Sequence, residues 1–436
     1  MKPEQSSSRR TFIKNTTVAA GSLLVSPLAI NHSAYAAGLD TIKVGLVGCG
    51  GRGTGAAVQA LRAAPNARLV AMVDVFRDKL DGSYQNMKQI EDISSQVTVS
   101  EENRILGFEG YKAVIDQSDV VILATPPGFR PDHFEEAVNS SKHVFMEKPV
   151  ASDAPGVRKV LAAGKLATEK NLKIVVGLQN RYDPEYQEMV SRIQDGQIGD
   201  IVSSTCYYMK GQYKIFPRSQ ANDEMEFQIR NWHFFNWLWA GAPAGLQIHN
   251  TDIVNWVKGS YPVQAQGMGG RAAIDGPDTG EVFDHFYIEY SYEDGMPLHS
   301  QIRVMENTYN KNGAFFIGTD GSANNREGIK DRTGNRVWKY RNKDKGNPYQ
   351  IEHNQLFEAI MNDQPLNDTE FGAKSTMTSI MGRMACHSGQ LVTWDEAFNS
   401  ELRLAPNIAG SNPNPPILPD ENGIYAYPTP GVTKAL

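Results

Sequence analysis

Lys148 stands in Met146-Glu147-Lys148-Pro149, directly after a short apolar run. A lysine fixed at the carboxyl end of a parallel strand points into the crevice where open α/β sheets bind their ligands. Beside a cationic ring its ammonium form is disfavoured by like charge, which moves its pKa toward the range where it gives and takes protons. The oxidised nicotinamide of a dinucleotide is such a ring, and the chain carries the matching glycine fingerprint, Gly48-Cys49-Gly50-Gly51-Arg52-Gly53. Gly48, Gly50 and Gly53 let the backbone turn tightly, approach a pyrophosphate and pack a helix on a strand, while the helix N-terminus supplies backbone donors. Asp74 falls 21 residues after Gly53. A carboxylate there accepts from the adenosine ribose hydroxyls and repels a 2′-phosphate, so NAD is favoured over NADP, with the nearby Arg77 opposing that preference.

These groups need elements to hold them. Residues 42–47 form an apolar, β-branched run before the glycines, and residues 56–61 read as the helix after them. Further strands are expected at 68–73, 120–124 and 143–146, with a helix at 132–140. Strands alternating with helices imply a parallel, doubly wound sheet. Helices at 154–168 and 183–196 flank an apolar run at 174–178, and then the texture changes. Runs at 201–209, 263–271, 283–292, 298–306 and 314–318, split by turn residues, predict a largely antiparallel open sheet. Helical patterns return at 246–258, 350–361 and 374–387. The expected organisation is an α/β chain with a leader at 1–36, a Rossmann NAD-binding domain at 37–165, a substrate and oligomerisation domain at 166–403, and an extended Pro-rich arm at 404–436.

The leader has a basic start with Ser8-Arg9-Arg10-Thr11-Phe12-Ile13-Lys14, an apolar stretch at 18–30 and Ala34-Tyr35-Ala36 before Ala37. The stretch is too short to span a bilayer, so stable membrane insertion is not expected. A twin-arginine signal exports folded protein, and the nicotinamide cofactor pool is cytoplasmic. A periplasmic enzyme of this kind must therefore carry its NAD tightly and restore its redox state within its own cycle. The chain has a formal net charge of −6, made more negative once Lys2, Arg9, Arg10 and Lys14 leave with Glu4. That sign argues against nucleic acid and anionic membrane surfaces as partners. Cys49, Cys206 and Cys386 are too scattered for a disulfide framework and read as small buried side chains; no metal is expected, because the histidines lack ligand spacing. Gly-x-Ser-x-Gly and His-Glu-x-x-His are both missing from the sequence.

Between Tyr207 and Trp239 aromatic and basic residues cluster, among them Arg230, Trp232 and His233. Aromatic faces and charged donors are what a carbohydrate pocket uses, so these three are candidate substrate contacts, while Phe234, Phe235, Trp237 and Leu238 read equally well as core.

The glycine fingerprint, Ala124-Thr125-Pro126-Pro127 with His133 following, Glu147-Lys148-Pro149 and Gly177-Leu178-Gln179-Asn180-Arg181-Tyr182 together resemble the Gfo/Idh/MocA oxidoreductases. The resemblance implies a small-molecule sugar or cyclic polyol as substrate and places Arg52, Asp74, Thr125, His133, Glu147 and Asn180 around the cofactor. Lys148 becomes the catalytic lysine, with Arg181 and Tyr182 toward the substrate and Tyr182 the next candidate for proton transfer. The family pattern adds a helix with Asp-x-x-x-His and a further acid; His249 and Asp252 fit the second half, but the position four before His249 is Gly245. The reading is an exported NAD-dependent oxidoreductase of CH–OH groups. A redox-neutral NAD-dependent glycosidase, working by oxidation, elimination, hydration and reduction, is the alternative, and a non-catalytic sugar-binding protein the third. Phe286, Ile288 and Tyr290 alternate with Tyr287 and Glu289, so the second sheet offers one apolar face inward and a mixed face outward, and a homo-oligomer is expected.

Overall fold

The computed structural model describes residues 41–405, 410 and 414–434; the expected export leader lies outside the described residues. The first sheet follows from short runs that, apart from its three-residue edge strand, are largely buried on both faces, as parallel strands covered by helices require. Its strands are β1 (Ile42–Val47), β2 (Ala67–Asp74), β3 (Arg104–Leu106), β4 (Val120–Leu123), β5 (His143–Met146) and β6 (Ile174–Val176). All pairs are parallel and the order is β3-β2-β1-β4-β5-β6, the doubly wound arrangement whose crevice opens where the order reverses, beside β1. Helices α1 (Gly51–Ala63), α2 (Arg77–Lys88), α3 (Gly110–Asp116), α4 (Arg130–Asn139) and α5 (Ala154–Glu169) connect them. The expected division at 165/166 falls inside α5, and β6 after it still belongs to this first sheet.

A short turn and α6 (Pro184–Gln194), capped by Asp183 accepting from the Glu185 N–H, lead to the second sheet. It has nine strands in the order β14-β13-β12-β11-β7-β10-β9-β8-β15. The main five are β7 (Ile201–Lys210), β8 (Gln264–Gly270), β9 (His285–Ser291), β10 (Pro297–Val304) and β11 (Lys311–Gly318); β12 (Gly321–Asn324), β13 (Gly328–Asp331), β14 (Arg336–Trp338) and β15 (Val392–Thr393) are short. Pairing is antiparallel except between β7 and β10. Phe286, Ile288 and Tyr290 of β9 are buried in strict alternation with half-exposed neighbours, which is the expected one-sided face. Between β7 and β8 the chain makes α7 (Glu224–Arg230) and α8 (Ile248–Lys258).

Two later helices tie the halves together. In α9 (Pro348–Met361), Leu356 and Phe357 pack into the hydrophobic core of the first sheet's outer layer. Helix α10 (Thr369–Ser388) is buried along most of its length, with Ile380, Met381 and Met384 in the other core. Of the tail, residues 414–434 contain no helix or strand and lie on this same chain, where Tyr425 is 2% exposed and meets the Phe235 ring edge-on at 5.1 Å. Cys49, Cys206 and Cys386 are free, buried thiols.

Candidate active site

Strand register assembles the first wall. Val47 is level with Val73 and Leu123, Leu123 with Met146, and Met146 with Val176. The residues that leave these strands, Gly48, Asp74, Ala124, Glu147 and Gly177, therefore stand in a row along one sheet edge. Beside that edge opens a cavity of about 850 Å³.

The glycine loop is shaped by contact and by openness. A Cβ at Gly53 would lie 1.9 Å from the Gly48 carbonyl oxygen, and Gly48 has φ +96°, so both positions exclude side chains. Nothing lies within 4 Å of a Cβ at Gly50 or Gly51, which leaves room for a ligand at the α1 N-terminus. Asp74 accepts from the Cys49 N–H at 2.7 Å on one oxygen and from the Phe76 N–H at 2.9 Å on the other. Burial raises its pKa, and each oxygen retains a lone pair for hydroxyl donors. Backbone donors, an open glycine cradle and a terminal carboxylate fit a dinucleotide: the α1 N-terminus would hold its diphosphate and Asp74 its ribose.

Arg52 and Glu147 line the cavity joined to each other, Nε to Oε1 at 2.5 Å. The Tyr349 ring covers the Arg52 guanidinium at 4.6 Å. Thr125 and His133 also line it, Oγ1 to Nδ1 at 3.2 Å, and burial depresses the His133 pKa to about 4. Arg130 was not anticipated. Its buried guanidinium donates to the Pro149 and Thr125 carbonyls and so clamps two loops of the wall together. Its signal was Pro131 at the start of α4, which places position 130 beside the cavity.

The second wall comes from turns. Lys148 Nζ donates to the Gly245 carbonyl at 2.9 Å. Gly245 lies in a turn of π-helix, Pro243–Gln247, that runs into α8. A Cβ there would fall 2.0 Å from Trp239 Nε1, so the indole occupies the space that a carboxylate at this position would need. His249, one turn on, lines the cavity, and its buried Nδ1 has no hydrogen-bond partner. Burial, helped by Lys148, holds the His249 pKa well below the usual value, and burial lowers Lys148 to about 8. Trp232 and His233 line the cavity as an aromatic stack, 3.8 Å between centroids, with Tyr213 3.7 Å beyond. Arg230 reaches the cavity from α7, but its partners are Asp78 and Glu226.

Four expected residues stand elsewhere. Asp252 is fully buried; its two oxygens take Arg181 Nε and Nη2, each at 2.8 Å, and one of them also takes Ser375 Oγ at 2.7 Å. It does not line the cavity, and with both oxygens engaged it does not orient His249. Arg181 is drawn away by that pair and lies over the Phe371 ring at 4.0 Å. Tyr182 donates to buried Asp368 and is 5% exposed. Asn180 donates to the His249 carbonyl at 3.4 Å from just outside the wall. The neighbour that does line it is Gln179, whose Oε1 is buried without a partner. A short helical turn at Gln179–Tyr182 causes this, because it turns residues 180–182 toward α8 and the core.

Residues 42–178 match the Gfo/Idh/MocA family profile, an oxidoreductase family with an NAD-binding Rossmann fold. The inositol 2-dehydrogenase of Rhizobium meliloti (strain 1021) is 26% identical over 227 residues, 51% of this chain and 57% of that protein. The scyllo-inositol 2-dehydrogenase (NAD(+)) of Bacillus subtilis (strain 168) is 23% identical over 229 residues, 52% of this chain and 57% of its own length. The chain thus spans little more than half the length of these curated relatives. In fold it is similar to scyllo-inositol dehydrogenase from Lactobacillus casei with bound NAD(H) and scyllo-inositol, with a TM-score of 0.59 at 20% identity over 82% of this chain and 100% of that one. The profile match and the doubly wound sheet that it covers make residues 42–178 similar to the NAD-binding Rossmann domain of the Gfo/Idh/MocA oxidoreductases.

Proposed function

We propose that the protein oxidises a ring CH–OH group of a sugar, sugar derivative or cyclic polyol, using NAD as hydride acceptor. The observation that carries this reading is the meeting of Lys148 and His249 where the two cavity walls join, Lys148 reaching across to the Gly245 turn beside His249. NAD supplies the hydride acceptor when bound. The chain does the rest. Lys148, with a pKa of about 8, holds the substrate hydroxyl oxygen and exchanges its proton. His249, kept neutral by its surroundings, donates its ring N–H to that same oxygen, so the single hydroxyl proton passes to the Lys148 amine. Trp232, His233 and Tyr213 give the aromatic faces against which the C–H surfaces of a sugar ring rest.

The reading extends to a periplasmic protein with a tightly held cofactor, on the strength of the leader sequence. It also extends to a homo-oligomer, because Met268 on β8 and Ile317 on β11 stand 66% and 57% exposed. Purified protein incubated with free sugars, cyclic polyols and aryl glycosides, with and without added NAD, tests the activity. Carbonyl product from free sugar or polyol is the expected result; aglycone release without net NAD reduction would overturn it in favour of the glycosidase. Light scattering showing a monomer at micromolar concentration would remove the oligomer.

A further inference from the structure

Five consecutive residues of the second domain, Tyr213 to Pro217, all line the cavity. The two ends of this segment are anchored at different ends of the site. Tyr213 stacks on His233 and meets Trp239 edge-on, on the wall that holds His249. Phe216 is gripped by the buried Asn231: its N–H donates to Asn231 Oδ1 at 2.7 Å, and its carbonyl accepts from Nδ2 at 3.0 Å. Beside that anchor Arg230 crosses to the first domain. Its Nη2 lies 3.0 Å from Asp78 Oδ1, and its guanidinium sits over the rings of Phe76 at 4.0 Å and Phe216 at 5.0 Å. Phe76 follows Asp74 by two residues, so this is the ribose end of the cradle. Lys214 lies between the anchors, and among the described residues it has no carboxylate partner.

We propose that Tyr213 to Pro217, with Arg230, form a strap that encloses the dinucleotide. Lys214 faces the diphosphate, Phe216 and Arg230 cover the adenosine, and the Arg230–Asp78 pair bolts the strap to α2. This rests on the NAD reading above and moves Arg230 from the substrate to the cofactor. Asp78 is 57% exposed, so its ion pair alone would be weak; the hold comes from a guanidinium kept between two aromatic rings next to it.

The test follows release of bound NADH from the loaded, full-length protein by the decay of its fluorescence on dilution into excess NAD. Arg230→Ala should raise the release rate ~10-fold or more, the scale of one lost desolvated contact, since such losses appear mainly in dissociation. Lys214→Ala should release several-fold faster and with a shallower salt dependence, as expected when one cation leaves a diphosphate. Asp78→Asn should show a smaller acceleration. Lys214 is exposed, so its variant remains informative if Arg230→Ala folds poorly. Parental release rates in Lys214→Ala and in a folded Arg230→Ala would overturn the strap and leave the NAD reading standing. A parent protein that binds no NADH would overturn both.

Discussion

The two walls of the cavity are built by opposite rules. The cofactor wall is carried by strand ends: the register of β1, β2, β4, β5 and β6 sets Gly48, Asp74, Thr125, Glu147 and Lys148 side by side before any side chain packs. The substrate wall is carried by turns. Tyr213, Trp232, His233 and Gly245 belong to no strand, and only the packing of rings on rings and of an indole against a bare glycine puts them where they are. A site placed by backbone pairing tolerates changes of side chain, whereas a site placed by packing shifts when one ring is altered.

The sharpest way to probe this contrast is to remove one proton-handling group from each wall. Lys148→Ala and His249→Ala should each lower turnover by about 10²–10⁴-fold, the usual range for a positioned acid or base, while bound NAD stays near one per chain. Loss of NAD in Lys148→Ala would make that residue a cofactor ligand. Full activity in His249→Ala would pass its role to another group.

Next is Asp252, which the sequence pattern puts beside His249 and the structure puts in the core. Asp252→Ala leaves the largely buried Arg181 guanidinium without its carboxylate and should cost about 3 kcal/mol of stability, read as a lower Tm or urea midpoint. Unchanged stability with lost turnover would restore Asp252 to catalysis. Gly245→Asp, which supplies the acid that the resemblance asks for, should instead destabilise by about 1–3 kcal/mol through overpacking against Trp239. It should also lower turnover by disturbing the carbonyl that holds Lys148.

The pH profile follows from the amine. Lys148 has its folded pKa lowered to about 8, so the uncharged amine that takes a hydroxyl proton is scarce below that pH and complete above it. Oxidation should rise with pH through about 8 and the reverse reduction should fall, both read as kcat/KM. The smallest effect is expected for Asp74→Ala, which should weaken NAD retention and narrow the gap to NADP, measured by competitive binding of the two. A variant still selective for NAD would show that the Phe76–Arg230 side sets the preference.

What was legible in the sequence follows the same division. Five of the six strands of the doubly wound sheet and five strands of the second sheet show in apolar runs, because continuous or alternating burial writes itself into the sequence; the three-residue edge strand β3, with no fully buried residue, does not. Helix α2 is not visible, since Arg77 to Lys88 buries only Leu80, Ser83 and Met87 and has a weak apolar stripe. The short strands β12 to β15 have two to four residues each and carry no period to detect. The cofactor residues are readable from spacing. Arg181, Tyr182 and Asp252 are not, because their direction depends on one helical turn after β6 and on partners more than 70 residues away in the chain. Glu352 carries no local signal for its place beside Arg52, since it comes from α9, which returns late in the chain to the first domain.

Tyr425 gives the fold an order of assembly. Its hydroxyl donates to Glu224 at the start of α7 and accepts from Arg218, so the helix that carries Arg230 is fastened by a residue 201 positions further along the chain. The first sheet is complete some 250 residues earlier, at Val176. During synthesis the strands that carry the glycine cradle are thus available to pair well before Tyr425 emerges, and α7 gains this fastening only once it does.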